Sequence, residues 1–202
     1  MIWHTAIAIA LLPLPVSRPT ADTTRVCIAP ASVQMAAGNS DAAIDAVRGT
    51  FTSFLTGPSL AVKPMSSRLA SQVREEAKTA DCPYLLLTTF KHERKGGHSV
   101  LGHAASGAVQ EGAWNVMTST HSTTTKVAAG AAMSAAAATR EVVSTFRAKD
   151  ELTLGWRLEG QDGRVLVDKS EKRKASNDGE DVLTPLVEHA SESIVTAIKA
   201  GK

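Results

Sequence analysis

Residues 77–90 read AKTADCPYLLLTTF, and the second half, Tyr84 to Phe90 (YLLLTTF), decides the fold. An unbroken apolar run of this kind, reached through Asp81-Cys82-Pro83, predicts a central strand covered on both faces. Working upstream, Ser66 or Ser67 is placed to cap a helix. Its apolar positions Leu69, Val73, Ala77 and Ala80 face the sheet, and Arg68, Arg74, Glu75 and Lys78 face water. Leu60 to Lys63 is a short strand ended by Pro64. Before it, Asp41 offers an N-cap to a helix whose stripe is Ile44, Val47, Phe51, Phe54 and Leu55, stopped by Gly57-Pro58. Arg25 to Pro30 (RVCIAP) is a β-branched strand closed by a proline. Strand, helix, strand, helix, strand is the signature of a parallel α/β sheet.

Downstream, the pattern breaks over residues 96–148, where the composition shifts to Ala, Gly, Ser and Thr. It resumes at Glu151. There Leu152, Leu154, Trp156 and Leu158 alternate with Thr153, Gly155, Arg157 and Glu159, a half-buried strand read at period two. Gln161-Asp162-Gly163 is a hairpin turn, and Val165 to Lys172 returns antiparallel. A final helix, capped near Asp178 or Asp181, buries Leu183, Leu186, Val187, Ala190, Ile194 and Ile198, with Pro185 at its first turn. The expected fold class is α/β (α+β): a mixed, mainly parallel five-stranded sheet with helices packed on it, in the order β-α-β-α-β-(Ala/Gly-rich insertion)-β-β-α.

The first 21 residues read as a signal peptide, with Ile7, Ile9, Leu11 and Leu12 as its apolar centre and Ala21 as the cleavage position. The run is shorter than the roughly 20 residues that span a bilayer. Residues 22–202 then form a single exported domain, periplasmic or secreted. Thr24, Arg25 and Val26 before Cys27 do not make a lipid-attachment site. With 22 basic and 20 acidic side chains the net charge is +2, which excludes a dedicated nucleic-acid binder. The densest basic cluster, Lys169, Lys172, Arg173 and Lys174, is interleaved with Ser170 and Glu171 and reads as a solvated strand edge.

The run AKTADCPYLLLTTF, the hairpin LTLGWRLEGQDGRVLV (152–167) and the closing helix resemble the periplasmic α/β domain of the curli-secretion family. They are also similar to the N-terminal domain of the Tol-system periplasmic protein. The segments 26–30 (VCIAP), 148–152 (AKDEL) and 178–185 (DGEDVLTP) resemble uncharacterised secreted proteins of acidobacterial type. The likeness covers residues 25–95 and 148–199. It implies a fold whose relatives act by binding and assembly, and it carries over no catalytic residue. It further implies that the first and third strands are parallel neighbours, so that Cys27 and Cys82 can form a disulfide if their Cα atoms come within about 7 Å. Two buried free thiols are the alternative.

The insertion is where a particular function is expected. Ala104, Ala108 and Gly112 recur every fourth residue, as do Gly130, Ser134 and Ala138, a candidate helix-association seam of small residues. A helical hairpin packed on its own domain or on a sister subunit, a low-complexity loop and membrane insertion by an oligomer are the three readings. The polar run 118–126 (TSTHSTTTK) opposes the last, because it lacks the alternation of barrel strands. His92, His98, His103 and His121, with Glu93 and Glu111, are candidate metal ligands, but their spacing fits no known ligand pattern. No G-x-S-x-G elbow, phosphate loop or dinucleotide fingerprint occurs. Asp150 and Glu151 read as caps and solvating charges, and His189 as a surface residue. No cofactor is expected.

The expectation is therefore an exported, non-enzymatic binding or assembly domain of the bacterial cell envelope. Its partner would be an envelope protein or cell-wall polymer, with self-association as a homo-oligomer through the insertion. The alternatives are a membrane-associated oligomeric secretion component built on 96–148 and a secreted metal-dependent enzyme using the histidines.

Overall fold

The computed structural model describes residues 23–95 and 136–201. Its elements are β1 (Thr24–Ile28), β2 (Ser32–Met35), α1 (Ser40–Leu55), β3 (Leu60–Pro64), α2 (Ala70–Thr79) and β4 (Tyr84–Glu93), then β5 (Glu151–Gly160), β6 (Val165–Lys174) and a final helix, Leu183–Ala200. Residues 136–143 form a further helical stretch, α3, and the final helix is α4. One six-stranded sheet runs β3-β1-β4-β5-β6, with β2 also paired to β4. The α/β class and mixed sheet are as expected. The pairings of β1 with β3, β1 with β4 and β2 with β4 are parallel, and β4 with β5 and β5 with β6 antiparallel.

The sixth strand, β2, corrects the five-strand expectation, and Pro30 is the reason for the break before it. Ile28 sits opposite Leu86 and Ser32 opposite Thr89, so one extra residue is accommodated between β1 and β2. Proline has no N–H to give the ladder, and such residues gather at bulges and sheet edges. Pairing then resumes, with Ala36 N–H donating to His92 O at 3.1 Å.

The helix ends also differ from expectation. Asn39, not Asp41, caps α1: its side chain accepts from Asp41 N at 2.9 Å and Ala42 N at 3.5 Å. Phe54 is 38% exposed, and the buried stripe is completed by Ala43, Ala46 and Thr50 instead. Leu69 is not a core residue but the 62% exposed N-cap of α2. Ser66 and Ser67 do not cap that helix; their backbone N–H groups donate to the Glu76 carboxylate at 3.1 and 3.0 Å. Asp181 serves the start of α4 by accepting from Thr184 N, whereas Asp178 accepts from Ala148 N, both across short bonds of 2.9 and 2.8 Å.

The sheet has two unequal cores. On one face α1, α3 and α4 cover Val26, Ile28, Leu86, Phe90, Leu152, Leu154, Trp156 and Leu158. The last residues of the expected insertion belong to this core, since Val142, Val143 and Phe146 are buried in it. On the other face α2 lays Val73 and Ala77 on Cys27, Ala29, Met65, Cys82 and Leu85.

Cys27 and Cys82 form a disulfide in that smaller core, with Cα atoms 5.9 Å apart. The bridge ties β1 to the segment that leads into β4, across a sequence separation of 55. Arg25 reinforces the same junction, its guanidinium donating to Ala80 O at 2.9 Å and Asp81 O at 3.3 Å. A core of so few side chains buries little apolar area, so a covalent constraint on the unfolded chain contributes a large share of its stability.

Replacing both cysteines (Cys27→Ala with Cys82→Ala) is expected to lower the unfolding free energy by roughly 2–4 kcal/mol in urea titrations, and denatured but unreduced wild-type protein shows no titratable thiol. The Glu76 carboxyl is held down to about 2 by the Ser67 and then the Ser66 N–H groups. Its contribution is therefore complete above the unfolded carboxyl value of roughly 4.3 and is lost as pH falls through the folded value. The melting-temperature gap between wild type and Glu76→Ala is widest near neutral pH and closes progressively from pH 4 towards pH 2.

Candidate binding face

Directly paired residues of neighbouring strands point to the same side of a sheet. The pairings Ser32–Thr89, Thr89–Gly155 and Gly155–Ser170 therefore place four small residues in one row across β2, β4, β5 and β6. This row lies on the face that α2 covers only over β3, β1 and the start of β4. Ser32, Thr89 and Ser170 are exposed, and none of their hydroxyls bonds to another described residue. Gly155 matters here because a Cβ would overlap Thr89 Oγ1. The result is a shallow polar trench that runs across the strands.

The neighbouring rows make its walls. On one side stand Gln34, Lys91, Thr153 and Lys172, and on the other Leu87, Arg157 and Asp168. The cations are steadied from outside the trench. Lys91 pairs with Glu93 at 2.6 Å, and Lys172 lies 3.6 Å from Glu151, which Lys95 also contacts. Bonding to Lys91 holds the Glu93 carboxyl below its ordinary range, and bonding to Lys95 does the same for Glu151. On the far wall, Arg157 reaches both Glu159 at 2.9 Å and Asp168 at 3.4 Å.

Glu159 is buried and anchors the trench to α2. Arg74 donates to it through both Nε and Nη2, at 3.0 and 3.1 Å, and this bonding lowers its carboxyl value. Arg74 therefore does not simply face water. The fork fits a carboxylate in a way that a lysine would not.

At the end of the sheet, beside the point where the chain leaves β4, His92 and Asp150 form a buried pair with Nε2 donating to Oδ2 at 2.7 Å. The same oxygen accepts from Arg147 N at 2.9 Å, and Arg94 Nε lies 3.6 Å from the other. Phe146 packs edge-on against the imidazole, with ring centroids 5.1 Å apart. Asp150 is thus no solvating charge; it closes the loop between α3 and β5. His92 is committed to it, and among the described residues no three His, Cys, Asp or Glu side chains gather to hold a metal. Gln34, Lys91 and Arg94 line a depression of about 440 Å³ above this pair.

A second depression, of about 370 Å³, lies between β6 and α4 over the nearly buried Trp156, with Lys169, Glu171, His189 and Ser193 around it. His189 is exposed as expected and contacts Glu171. Ala138 sits in α3, partly buried against the main core of its own domain. Ala104, Ala108, Gly112, Gly130 and Ser134 lie outside the described residues, as do His98, His103, His121, Glu111 and residues 1–21, the expected signal peptide. No described helix is long and apolar enough to cross a membrane.

Sequence reading did not find the trench, whose members are far apart along the chain; a glycine inside an alternating strand was its one local sign. It also missed the His92–Asp150 pair.

The chain matches no known protein family and no curated protein. Among solved structures it is similar to the PelC dodecamer from Paraburkholderia phytofirmans in two crystal forms. One, of a point variant, has 10% identity, covers 84% of this chain and 86% of that one, and gives a TM-score of 0.46. The other has 10% identity, 88% coverage of both chains and a TM-score of 0.45. A neuraminyllactose-binding hemagglutinin homolog from Helicobacter pylori is 6% identical, over 93% of this chain and 87% of that one, with a TM-score of 0.34. These are distant likenesses of fold.

Asp150→Ala removes the acceptor of a buried imidazole and of the Arg147 N–H. It is expected to cost roughly 2–4 kcal/mol in equilibrium unfolding, against less than about 0.5 kcal/mol for a change at the exposed Glu188 of α4, Glu188→Ala.

Proposed function

We propose that this chain is an exported, non-enzymatic binding domain of the bacterial cell envelope. It holds another envelope component, a protein or a cell-wall polymer, across the open half of its sheet. The observation that carries this reading is the row Ser32–Thr89–Gly155–Ser170. Its hydroxyls are unengaged by other described residues, and its walls carry cations. Such a trench offers hydrogen bonds and positive charge to an extended strand of polymer or polypeptide lying across several β-strands. The disulfide supports the exported location, because such bridges form and persist outside reducing compartments.

The test uses the full mature chain and an envelope fraction. A photo-crosslinking residue at Thr89 is expected to capture a defined component, and Ser32→Arg, which fills the end of the trench with a bulky side chain, is expected to reduce that capture at least tenfold. Equal capture from a crosslinker at Ser71, on the outer side of α2, or capture unaffected by Ser32→Arg, overturns the assignment of the face.

A further inference from the structure

β6 is an edge strand: among the described strands it pairs with β5 alone. The direction of its free backbone groups follows from both ends of the hairpin. At one end Gly160 N–H donates to Arg164 O at 2.8 Å; at the other, Ala175 N–H donates to Asp150 O at 2.9 Å. Both bonds use even-numbered residues on the β5 side. In an antiparallel ladder bonded and non-bonded pairs alternate. Val167, Lys169, Glu171 and Arg173 therefore bond inward to β5, and Asp168, Ser170, Lys172 and Lys174 turn their N–H and C=O groups outward. The only register irregularity falls between Leu158 and Glu159, so the stretch from Val167 to Lys174 is regular.

An edge of this length with no partner among the described strands invites pairing, and lysines usually prevent it by repulsion. Here the charges do the reverse. Asp168, Lys169, Ser170, Glu171 and Lys172 read minus, plus, neutral, minus, plus. Inverted about Ser170, that series is its own complement. If two copies meet antiparallel with the Ser170 residues on the two-fold axis, Lys169 faces the partner's Glu171 and Asp168 faces the partner's Lys172, each pair occurring twice. The backbone agrees: Ser170 has its bonding groups outward, as the central bonded pair requires. The Lys169–Glu171 positions become the non-bonded pair, whose side chains approach most closely. A shift of two residues one way centres Glu171 on Glu171 and sets Lys169 against Arg173. The opposite shift sets Lys169 on Lys169. Opposite charges facing across strands stabilise, and like charges directly opposed destabilise.

We propose that β6 is a self-association edge. A second copy of this chain pairs with it antiparallel about Ser170, and the two sheets become one. The small Ser170 side chain at the axis belongs to the trench row, so the trench continues from one subunit into the next. Each of the four charged side chains already has a contact within its own subunit that holds it beside β6: Lys169 reaches Ser193 at 3.4 Å, Asp168 accepts from Arg157 at 3.4 Å, Glu171 pairs with Arg173 at 3.2 Å and contacts His189, and Lys172 lies 3.6 Å from Glu151. Residues 168–172 lie outside the Ala/Gly-rich segment 96–148 in the sequence.

The experiment is sedimentation equilibrium on the full mature chain and its charge reversals. Wild type is expected to dimerise. Lys169→Glu alone and Glu171→Lys alone are each expected to weaken dimerisation about tenfold or more, because each puts like charges across the axis twice. An equimolar mixture of the two single variants restores dimers, since the acidic pair on one chain then faces the basic pair on the other, and combining both reversals in one chain restores them too. A variant that had merely damaged the fold would not be rescued by mixing. A wild type that stays monomeric at high micromolar concentration overturns the proposal, as does association unmoved by either reversal, or single variants that fail to recover on mixing.

Discussion

The antiparallel register between β4 and β5 is the constraint on which the molecule rests. It aligns Leu86, Thr88, Phe90 and His92 with Leu158, Trp156, Leu154 and Leu152 on the face that α1, α3 and α4 cover. Side chains alternate strictly along a strand, so a slip of one residue would turn the apolar set of β5 to solvent and lodge Arg157 and Glu159 in the main core. The same register brings Glu93 opposite Glu151 and ends the ladder where His92 and Asp150 meet. Everything on β6 is then placed by its own pairing to β5.

The two faces divide the work. One carries a broad aliphatic core under three helical elements, closed at its end by the buried Asp150. The other carries a small core under one helix, where the Cys27–Cys82 bridge offsets the scarcity of apolar area. Because α2 is only ten residues long and its buried side chains are Val73 and Ala77, it leaves the rest of that face uncovered by any described helix. The polar trench exists because one helix is short. Its anchoring to β5 is ionic, through Arg74 and Glu159, where an apolar contact would have needed a longer helix.

Much of this was legible locally. The apolar run at Tyr84 announces a central strand, the alternation from Leu152 a half-buried one, and Asp162-Gly163 the turn between β5 and β6. The helix starts were less legible. Asp41, Ser66 and Ser67 are all chemically able to cap, and the choice of Asn39, or of Glu76 as acceptor for the two serines, depends on where the preceding strand delivers the chain. β2 escaped notice because four residues on a half-exposed edge carry almost no pattern. His92 and Asp150 were each visible as titratable residues, but the residues between them hid their pairing.

The sequence alone determined the alternating strands, the helical stripes, the near-neutral charge balance and the presence of two cysteines, because these depend on spacing within one element or on simple composition. It also contained the complementary charge order of Asp168 to Lys172, though without saying that the order lies on the last strand of the described sheet. Only the tertiary structure decided which side chains meet: Cys27 with Cys82, His92 with Asp150, Arg74 with Glu159, and Ser32, Thr89, Gly155 and Ser170 in one row. Those meetings are matters of register between strands distant in the chain. Register is set by the joint burial of whole faces, which no single segment encodes.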